Sequence, residues 1–224
     1  MNPKIKNNPS IKLALQLSLL LVYALLPTGC ADFSSVLMGP QQPPPPATWN
    51  SAPGFSAASI DKIAIITEKG SQSRVSGGGD RNPALTGLED VFIAAAFKKG
   101  YRVSDRSDVD RVLQEIRFQQ SGLTEADAAK LGRMLNVPAV LIVRITGSGV
   151  DSQPTGLIIN GRNQYRCTAW CKMSARLISV EKAEVLGLAS YSAAMATDSI
   201  NNDRPAIDFA AGNLAAALPS RNSP

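Results

Sequence analysis

A strict two-residue alternation from Gln164 to Leu177 constrains the fold of this chain more than any other feature. Small or apolar side chains occupy every second position of the stretch, and mostly polar side chains occupy the positions between them. Because successive side chains of a strand point to opposite faces, the pattern predicts a half-buried antiparallel strand. The residues expected on the buried face are Tyr165, Cys167, Ala169, Cys171, Met173, Ala175 and Leu177.

Further strands are predicted on both sides of this one. β-Branched runs predict strands at Ile60–Thr67 and Ala139–Gly147, and a short strand is predicted at Tyr101–Val103. After the turn SVEKAE, the run VLGLASYSAAM predicts the antiparallel partner of Gln164–Leu177. The polar stretch Glu68–Asn82 between the first strand and the first helix is expected to be a flexible loop.

Four helices are predicted from apolar periodicity and from capping residues. They are expected to begin near Pro83, Ser107, Thr124 and Pro205. Together with the strands they form one domain, residues 58–218, which is long enough for a sizeable core. The expected fold class is therefore α/β, with a mixed sheet and packed helices.

The N-terminus has the composition of a secretory signal peptide. Three lysines and no acidic residue precede the apolar run Leu13–Leu26, which is too short for a spanning helix of about 20 residues. Residues 1–29 are therefore predicted to be a signal peptide. The sequence LLPTGC resembles the lipobox of bacterial lipoproteins, which implies that Cys30 is acylated and becomes the first mature residue. The alternative is an ordinary signal peptide followed by an unrelated cysteine.

The segment after Cys30 is rich in proline, serine, glutamine and alanine. Residues 30–57 are predicted to be the lipidated cysteine and a proline-rich tether, in which the run Pro43–Pro46 favours an extended polyproline II conformation. The acylated cysteine and the Ala31 that follows it imply attachment to the outer membrane, with the domain on its periplasmic face. Residues 219–224 are expected to be a tail.

Composition excludes several classes of function. Residues 1–29 carry three lysines, so their removal lowers the net charge from +5 to +2, and little then favours nucleic acid as a partner. Histidine is absent, which excludes catalytic and metal sites built on it. Gly77, Gly78 and Gly79 are not followed by the Gly-Lys-Ser/Thr of a phosphate loop. The chain is therefore expected not to be an enzyme, and to have no cofactor, metal or catalytic residue.

The two cysteines of the alternating strand are not expected to form a disulfide. Cys167 and Cys171 lie four residues apart, about 13 Å along a strand, whereas bridged Cα atoms lie within about 7 Å of each other. They are predicted to be small buried hydrophobic side chains.

The stretch RVSDRSDVDRVLQEIRFQQSGLTEADAAKLGRMLNVPAVLIVRITG resembles the curli-secretion CsgG family. The resemblance implies a domain like the N-terminal domain of TolB, and it draws attention to Asp105, Arg106, Ser121, Gly122 and Leu123 as a family signature for fold or oligomer contacts. Each of these residues also has a purely structural interpretation. Asp105 and Arg106 can form a charge pair at a helix start, and Gly122 can end a helix.

The resemblance supports the periplasmic domain of the family better than its pore. The family's secretion channel uses two long membrane hairpins per subunit, but here only Thr146–Arg162 could supply one hairpin. Too few residues follow Ala193 for a second hairpin before the last helix. The expected function is therefore a ring-forming or accessory component of assembly or transport without a complete pore of its own.

A second function remains open at this point. Lipoprotein activators of penicillin-binding proteins, such as LpoB, resemble this chain in having a lipid anchor, a proline-rich tether and one TolB-N-like domain. Under either function the expected partners are outer-membrane lipid, bound through Cys30, and either further copies of the chain or another envelope protein.

Overall fold

The computed structural model describes residues 44–73, 83–116, 123–159, 162–199 and 201–221. Residues 44–224 belong to one compact unit. Within the described ranges the chain forms one six-stranded sheet and four α-helices, with a short 3-10 turn at Ala57–Ser59. The predicted signal peptide and Cys30 lie outside the described residues.

The sheet has the order β1-β6-β5-β4-β2-β3 and is mixed. β2 is parallel to both β3 and β4, whereas the pairs β4–β5, β5–β6 and β6–β1 are antiparallel. The strands are β1 (Asn50–Ser51), β2 (Lys62–Ser73), β3 (Arg102–Val103), β4 (Ala139–Ile159), β5 (Arg162–Ser179) and β6 (Val185–Thr197).

Helices cover both faces of the sheet. The helices are α1 (Pro83–Lys98), α2 (Arg106–Ile116), α3 (Glu125–Met134) and α4 (Arg204–Ala217). α1 and α4 pack on one face and enclose the larger hydrophobic core, in which Phe92 and Leu214 are fully buried. α2 and α3 pack on the other face over a smaller core that contains Leu131 and Ile142. The predicted α/β fold with a mixed sheet and packed helices is confirmed.

The helix ends follow from local chemistry. Thr124 and Asp127 form a reciprocal capping box at the start of α3. α1 ends at Lys98, and Gly100 terminates it with a φ of 89°, which glycine adopts easily; the Tyr101 N–H donates back to the Ala96 carbonyl. Asn136 ends α3 in the same way, with a φ of 51°. These stops were predicted from the sequence.

The predicted alternation in β5 is confirmed over most of its length. Cys167, Ala169, Cys171, Met173, Ala175 and Leu177 are all buried on one face. Tyr165 is the exception, because it lies beyond the last pairing of β6 and is 57% exposed.

The packed unit begins earlier in the chain than predicted. Residues 44–57 were assigned to the tether, yet β1 pairs with β6, and Trp49 and Phe55 pack against the larger core. The predicted tail is also held in part, since the Tyr101 hydroxyl donates to the Pro219 carbonyl at 3.0 Å. Aromatic side chains attach both segments to the domain: Trp49 and Phe55 for residues 44–57, and Tyr101 for the segment after residue 218.

Two strands are longer than the sequence indicated. β2 continues to Ser73, through part of the stretch that was predicted to be a loop, because it stays paired with β4. β4 continues to Ile159, and β5 begins at Arg162. Thr146–Ile159 and Arg162 therefore belong to the long antiparallel pair of β4 and β5, and residues 160 and 161 lie outside the described ranges.

Candidate functional site

The outer part of the β4–β5 hairpin extends beyond the rest of the sheet. β2 pairs with β4 as far as Ser148, and β6 pairs with β5 from Cys167 onward. Past these points, and among the described residues, the two strands pair only with each other. We call this segment, Gly149–Ile159 with Arg162–Arg166, the hairpin arm. At about 3.3 Å per residue, its longer strand reaches roughly 35 Å.

The hairpin arm carries large apolar side chains in solvent. Leu157, Ile158 and Ile159 are 53%, 69% and 55% exposed, and Tyr165 is 57% exposed. Every residue of β4 from Asp151 to Ile159 is exposed. Clusters of exposed apolar side chains are typical of interaction surfaces, whereas single exposed apolar side chains are ordinary on a protein surface.

An irregularity near the end of the arm changes its course. The β4–β5 register shifts between Pro154 and Ile158, and Gly156 has a φ of 77°. The Thr155 hydroxyl donates to the Gln164 carbonyl at 3.0 Å across the irregular stretch. Bulges of this kind bend a strand and redirect its side chains, here the apolar residues near the tip.

The family-signature residues Asp105 and Arg106 lie far along the chain from the arm, at the start of α2. The Ser107 N–H donates to the Asp105 carboxylate at 2.8 Å, and the hydrogen bonds from Ser107 hold the pKa of Asp105 below its usual value. Arg106 lies 3.4 Å from Glu89 of α1. Burial raises the pKa of Glu89 despite this guanidinium, and the neighbouring Asp110 and Asp90 add to the rise. Asp105 thus caps α2, and Arg106 joins α2 to α1.

Leu123 is fixed by three kinds of contact. Its side chain is buried in the smaller core. Its N–H donates to Glu68 at 2.7 Å, and Glu68 also accepts from the Arg144 Nε at 2.8 Å. Arg176, which pairs with Glu125 at 2.6 Å, reaches the Leu123 carbonyl. These contacts attach the start of α3 to the sheet; Ser121 and Gly122 lie outside the described residues.

Cys167 and Cys171 are free thiols buried in the sheet. Burial, with a smaller contribution from the charge of Asp203, raises the pKa of Cys171 to about 12. A thiol in this environment stays protonated at neutral pH and is a poor nucleophile. The cysteines behave as the small buried side chains that the sequence predicted.

The described part of the chain offers no group of three or more histidine, cysteine, aspartate or glutamate side chains placed to hold a metal ion. Within the same ranges, no helix has both the length and the apolar character that crossing a bilayer requires.

The structure thus separates the predicted signature from the hairpin arm. Asp105, Arg106 and Leu123 hold helices in place, whereas the arm carries four of the large apolar side chains that are exposed. Sequence reasoning identified the arm only as a possible hairpin. The dipeptide Asn160-Gly161, directly after three apolar residues, was the signal that favours a hairpin turn there.

Three solved structures align with much of this chain at low sequence identity. A lipoprotein from Neisseria meningitidis is 14% identical, over 66% of this chain and 91% of that one, with a TM-score of 0.45. The PelC dodecamer from Paraburkholderia phytofirmans is 13% identical, over 79% and 98%, with a TM-score of 0.43. The LpoB C-terminal domain from Escherichia coli is 14% identical, over 66% and 88%, with a TM-score of 0.36. No curated protein matches the sequence.

Residues 67–204 match the family described as curli production assembly/transport component CsgG. The matched segment contains α1, α2, α3, the hairpin arm and the buried part of the sheet from β3 to β6. It covers more than half of the 224 residues. In agreement with the resemblance noted in the sequence, the chain belongs to the CsgG family.

Proposed function

We propose that this chain is an outer-membrane lipoprotein, anchored through an acylated Cys30, whose periplasmic domain serves assembly or transport in the cell envelope. It does so as a ring-forming or accessory component that contacts other proteins. The observation that carries the proposal is the hairpin arm, an uncovered two-stranded ribbon with an apolar end within a CsgG-family domain.

The physical state of the hairpin arm supports a role in protein contact. A two-stranded ribbon without a third strand or a covering helix is marginally stable in water. Burying the exposed apolar surface of Leu157, Ile158 and Ile159 on a neighbour would release about 25 cal/mol for each Å² removed from water. A partner that packs on the arm would therefore order it and gain affinity from the same residues.

The proposal assigns one such arm to each chain, and therefore no complete pore. β6 ends at Thr197 and α4 begins at Arg204. A membrane strand needs about 9–11 residues, so the interval between these elements is too short for a second hairpin. A chain with one arm depends on other copies or other proteins to complete a channel.

The proposal also holds that the domain acts by contact rather than by catalysis. Asp105 caps α2, Arg106 joins α2 to α1, and Leu123 attaches the start of α3 to the sheet. The sequence offers no histidine as a general base, and the Cys171 thiol is protonated at neutral pH.

Mass photometry of the full chain, extracted from membranes in mild detergent, tests the role of the arm. We expect a large species of uniform mass, and we expect the triple variant Leu157→Ser, Ile158→Ser, Ile159→Ser to dissociate into monomers that still unfold in one cooperative transition. Leu188→Ser is the matched control, because Leu188 is 45% exposed but lies on β6, away from the arm. If the triple variant kept the wild-type mass, the arm would not be the contact.

Activation of a penicillin-binding protein is the second candidate, and the order of predicted lipid anchor, proline-rich segment and single domain favours it. The same measurement separates the two functions. A wild-type monomer that binds the periplasmic part of a synthase, with weaker binding by the triple variant, would support the activator and contradict the ring.

The anchor is tested separately by membrane fractionation. Cys30→Ser is expected to leave the outer-membrane fraction and to appear in the soluble periplasmic fraction, while Cys167→Ser stays with the membrane. A Cys30→Ser variant that still fractionated with the outer membrane would rule out lipid attachment at this residue.

A further inference from the structure

β6 is the outer long strand of the sheet, and its own sequence does little to prevent it from pairing with another chain. Its residues, VLGLASYSAAMAT, include no charged residue and no proline. Proteins usually protect edge strands with charges, prolines, bulges or a covering segment, because unpaired edge groups recruit strands from other molecules. Protection of β6 against pairing with another molecule must therefore come from a segment that covers its edge.

The unpaired groups of this edge can be assigned from the pairing with β1. Asn50 is opposite Leu188 and Ser51 is opposite Gly187, and the Ala52 N–H donates to the Leu186 carbonyl at 2.8 Å. In an antiparallel pair, alternate residues direct their N–H and C=O groups to the same side. The backbone groups of Ser190, Ser192 and Ala194 therefore point to the outer edge, where the described part of the chain places no further strand.

A proline-rich segment lies along this part of the edge. We call residues 44–51 the strap. Pro44, Pro45 and Pro46 face Ser190 and Ser192 across a cavity of about 310 Å³. If the β1–β6 register continues, Pro46 lies opposite Ser192. Proline has no N–H, so the prolines of the strap can cover the edge but cannot donate to it as the residues of a regular strand would.

The strap is held by two paired residues, Asn50 and Ser51, and by Ala47 and Trp49, which pack against the larger core. A Cβ added to Gly187 would lie 2.4 Å from the Trp49 Nε1, so the indole rests directly on the glycine backbone. The same Nε1 is buried without a hydrogen-bond partner among the described residues. An unsatisfied buried donor is unfavourable, and this weakens the attachment. Among the described residues the strap thus has only two ladder pairs with β6, and Trp49 is its one large apolar contact.

We propose that the strap keeps β6 from pairing between molecules, and that its displacement lets β6 pair with β6 of a second copy. A second copy suits the edge because two identical antiparallel strands satisfy each other around a twofold axis. No charge on either strand opposes this pairing. The exposed side chains of Ser190, Ser192 and Ala194 are small, so two edges can approach each other closely. This proposal concerns contacts within one chain and does not depend on which partner binds the hairpin arm.

The test compares the mass of the full chain in mild detergent for the wild type and for Trp49→Ala, which removes the contact with Gly187. We expect Trp49→Ala to add a species of twice the wild-type mass, with a population that rises with protein concentration. Hydrogen exchange at Ser190 and Ser192 is expected to slow as that species forms.

The double variant Trp49→Ala, Ala194→Lys separates edge pairing from a folding defect. A lysine on the edge opposes β6–β6 pairing, so the double variant is expected to return to the wild-type mass, and Ala194→Lys alone is expected to match the wild type. Aggregation caused by misfolding would not be reversed by the lysine. The proposal is overturned if Trp49→Ala keeps the wild-type mass, or if the double variant associates as strongly as Trp49→Ala.

Discussion

The β4–β5 hairpin has two halves, the hairpin arm and the remainder, Ala139–Ser148 with Cys167–Ser179, which we call the packed half. The two halves belong to one pair of strands but differ in their surroundings. From Ala139 to Val143, β4 is continuously buried, because helices cover both faces of the sheet. From Asp151 to Ile159 the same strand is exposed at every residue. A strand can therefore continue beyond the hydrophobic core as long as it remains paired with a neighbouring strand.

The apolar residues of the two halves consequently have different roles. In the packed half of β5, apolar side chains alternate with polar ones, and the apolar set is buried. In the hairpin arm, three consecutive apolar residues place large side chains on both faces of the ribbon, and all three are exposed. A run of exposed apolar residues serves no purpose in the stability of an isolated chain, and it is typical of a binding surface.

Leu141→Ala should have the largest effect on stability of the changes considered. Leu141 is fully buried in the larger core. Its truncation should lower the free energy of unfolding by about 2–5 kcal/mol, because the loss of buried surface leaves a cavity between the sheet and the helices. Urea denaturation of the full chain measures this loss. A loss below about 1 kcal/mol would mean that the packed half is not a close-packed core.

Arg144→Ala should have the next largest effect. Arg144 lies at the border of the packed half and pairs with Glu68, whose side chain is only 12% exposed. Removing the guanidinium leaves that carboxylate with the Leu123 N–H as its remaining partner in the described ranges. We expect a loss of about 1–3 kcal/mol in urea denaturation.

Arg166→Ala is the matched control for Arg144→Ala, because Arg166 is an exposed arginine of the hairpin arm. We expect its removal to change stability by less than about 0.5 kcal/mol. Equal losses in the two variants would contradict the distinction between the packed half and the arm.

Much of the packed half could be predicted from the sequence, because its signals are local. The alternation in β5 follows from one buried face, the capping box from Thr124 and Asp127, and the helix stops from Gly100 and Asn136. Each of these features depends on residues that lie a few positions apart. The signature at Asp105 and Arg106 was located from the family resemblance; Asp105 lies at the start of α2 and accepts from Ser107, and the ion pair observed for Arg106 is with Glu89.

The hairpin arm and the strap could not be derived in the same way. Gly, Ser, Asp and Pro between Gly147 and Gly156 favour a loop, and only pairing with β5 turns this stretch into a strand. The docking of Trp49 depends on Gly187, which is distant in sequence and lacks the side chain that would exclude the indole. Both features are set by tertiary pairing, which overrides local propensity.

A smaller and pH-dependent effect is expected at Glu89, in the packed domain. The pKa of Glu89 is raised above its ordinary value of 4.5, mainly by burial. The charged form is therefore less favourable in the folded state than in the unfolded state, and the wild type gains stability as the pH falls through the raised pKa. Glu89→Gln should be more stable than the wild type at pH 7, and the advantage should disappear below about pH 4.5.

Glu115→Gln on α2 is the control for this pH dependence, because Glu115 is exposed. Urea denaturation at several pH values between 4 and 8 gives the comparison. A Glu89→Gln variant that is less stable than the wild type at pH 7 would mean that the ion pair with Arg106 outweighs the cost of burial.

Leu157→Ala, the counterpart of Leu141→Ala on the same strand, should have the smallest effect on stability. Leu157 is 53% exposed, so its truncation removes little buried surface and should change the free energy of unfolding of the isolated chain by less than about 0.5 kcal/mol. Measured at a concentration where the chain is associated, the same variant should show a larger loss, because stability then includes the contact with a neighbour. A loss that is large and independent of concentration would place Leu157 in the core of its own chain, and the difference between the two halves of the hairpin would no longer hold.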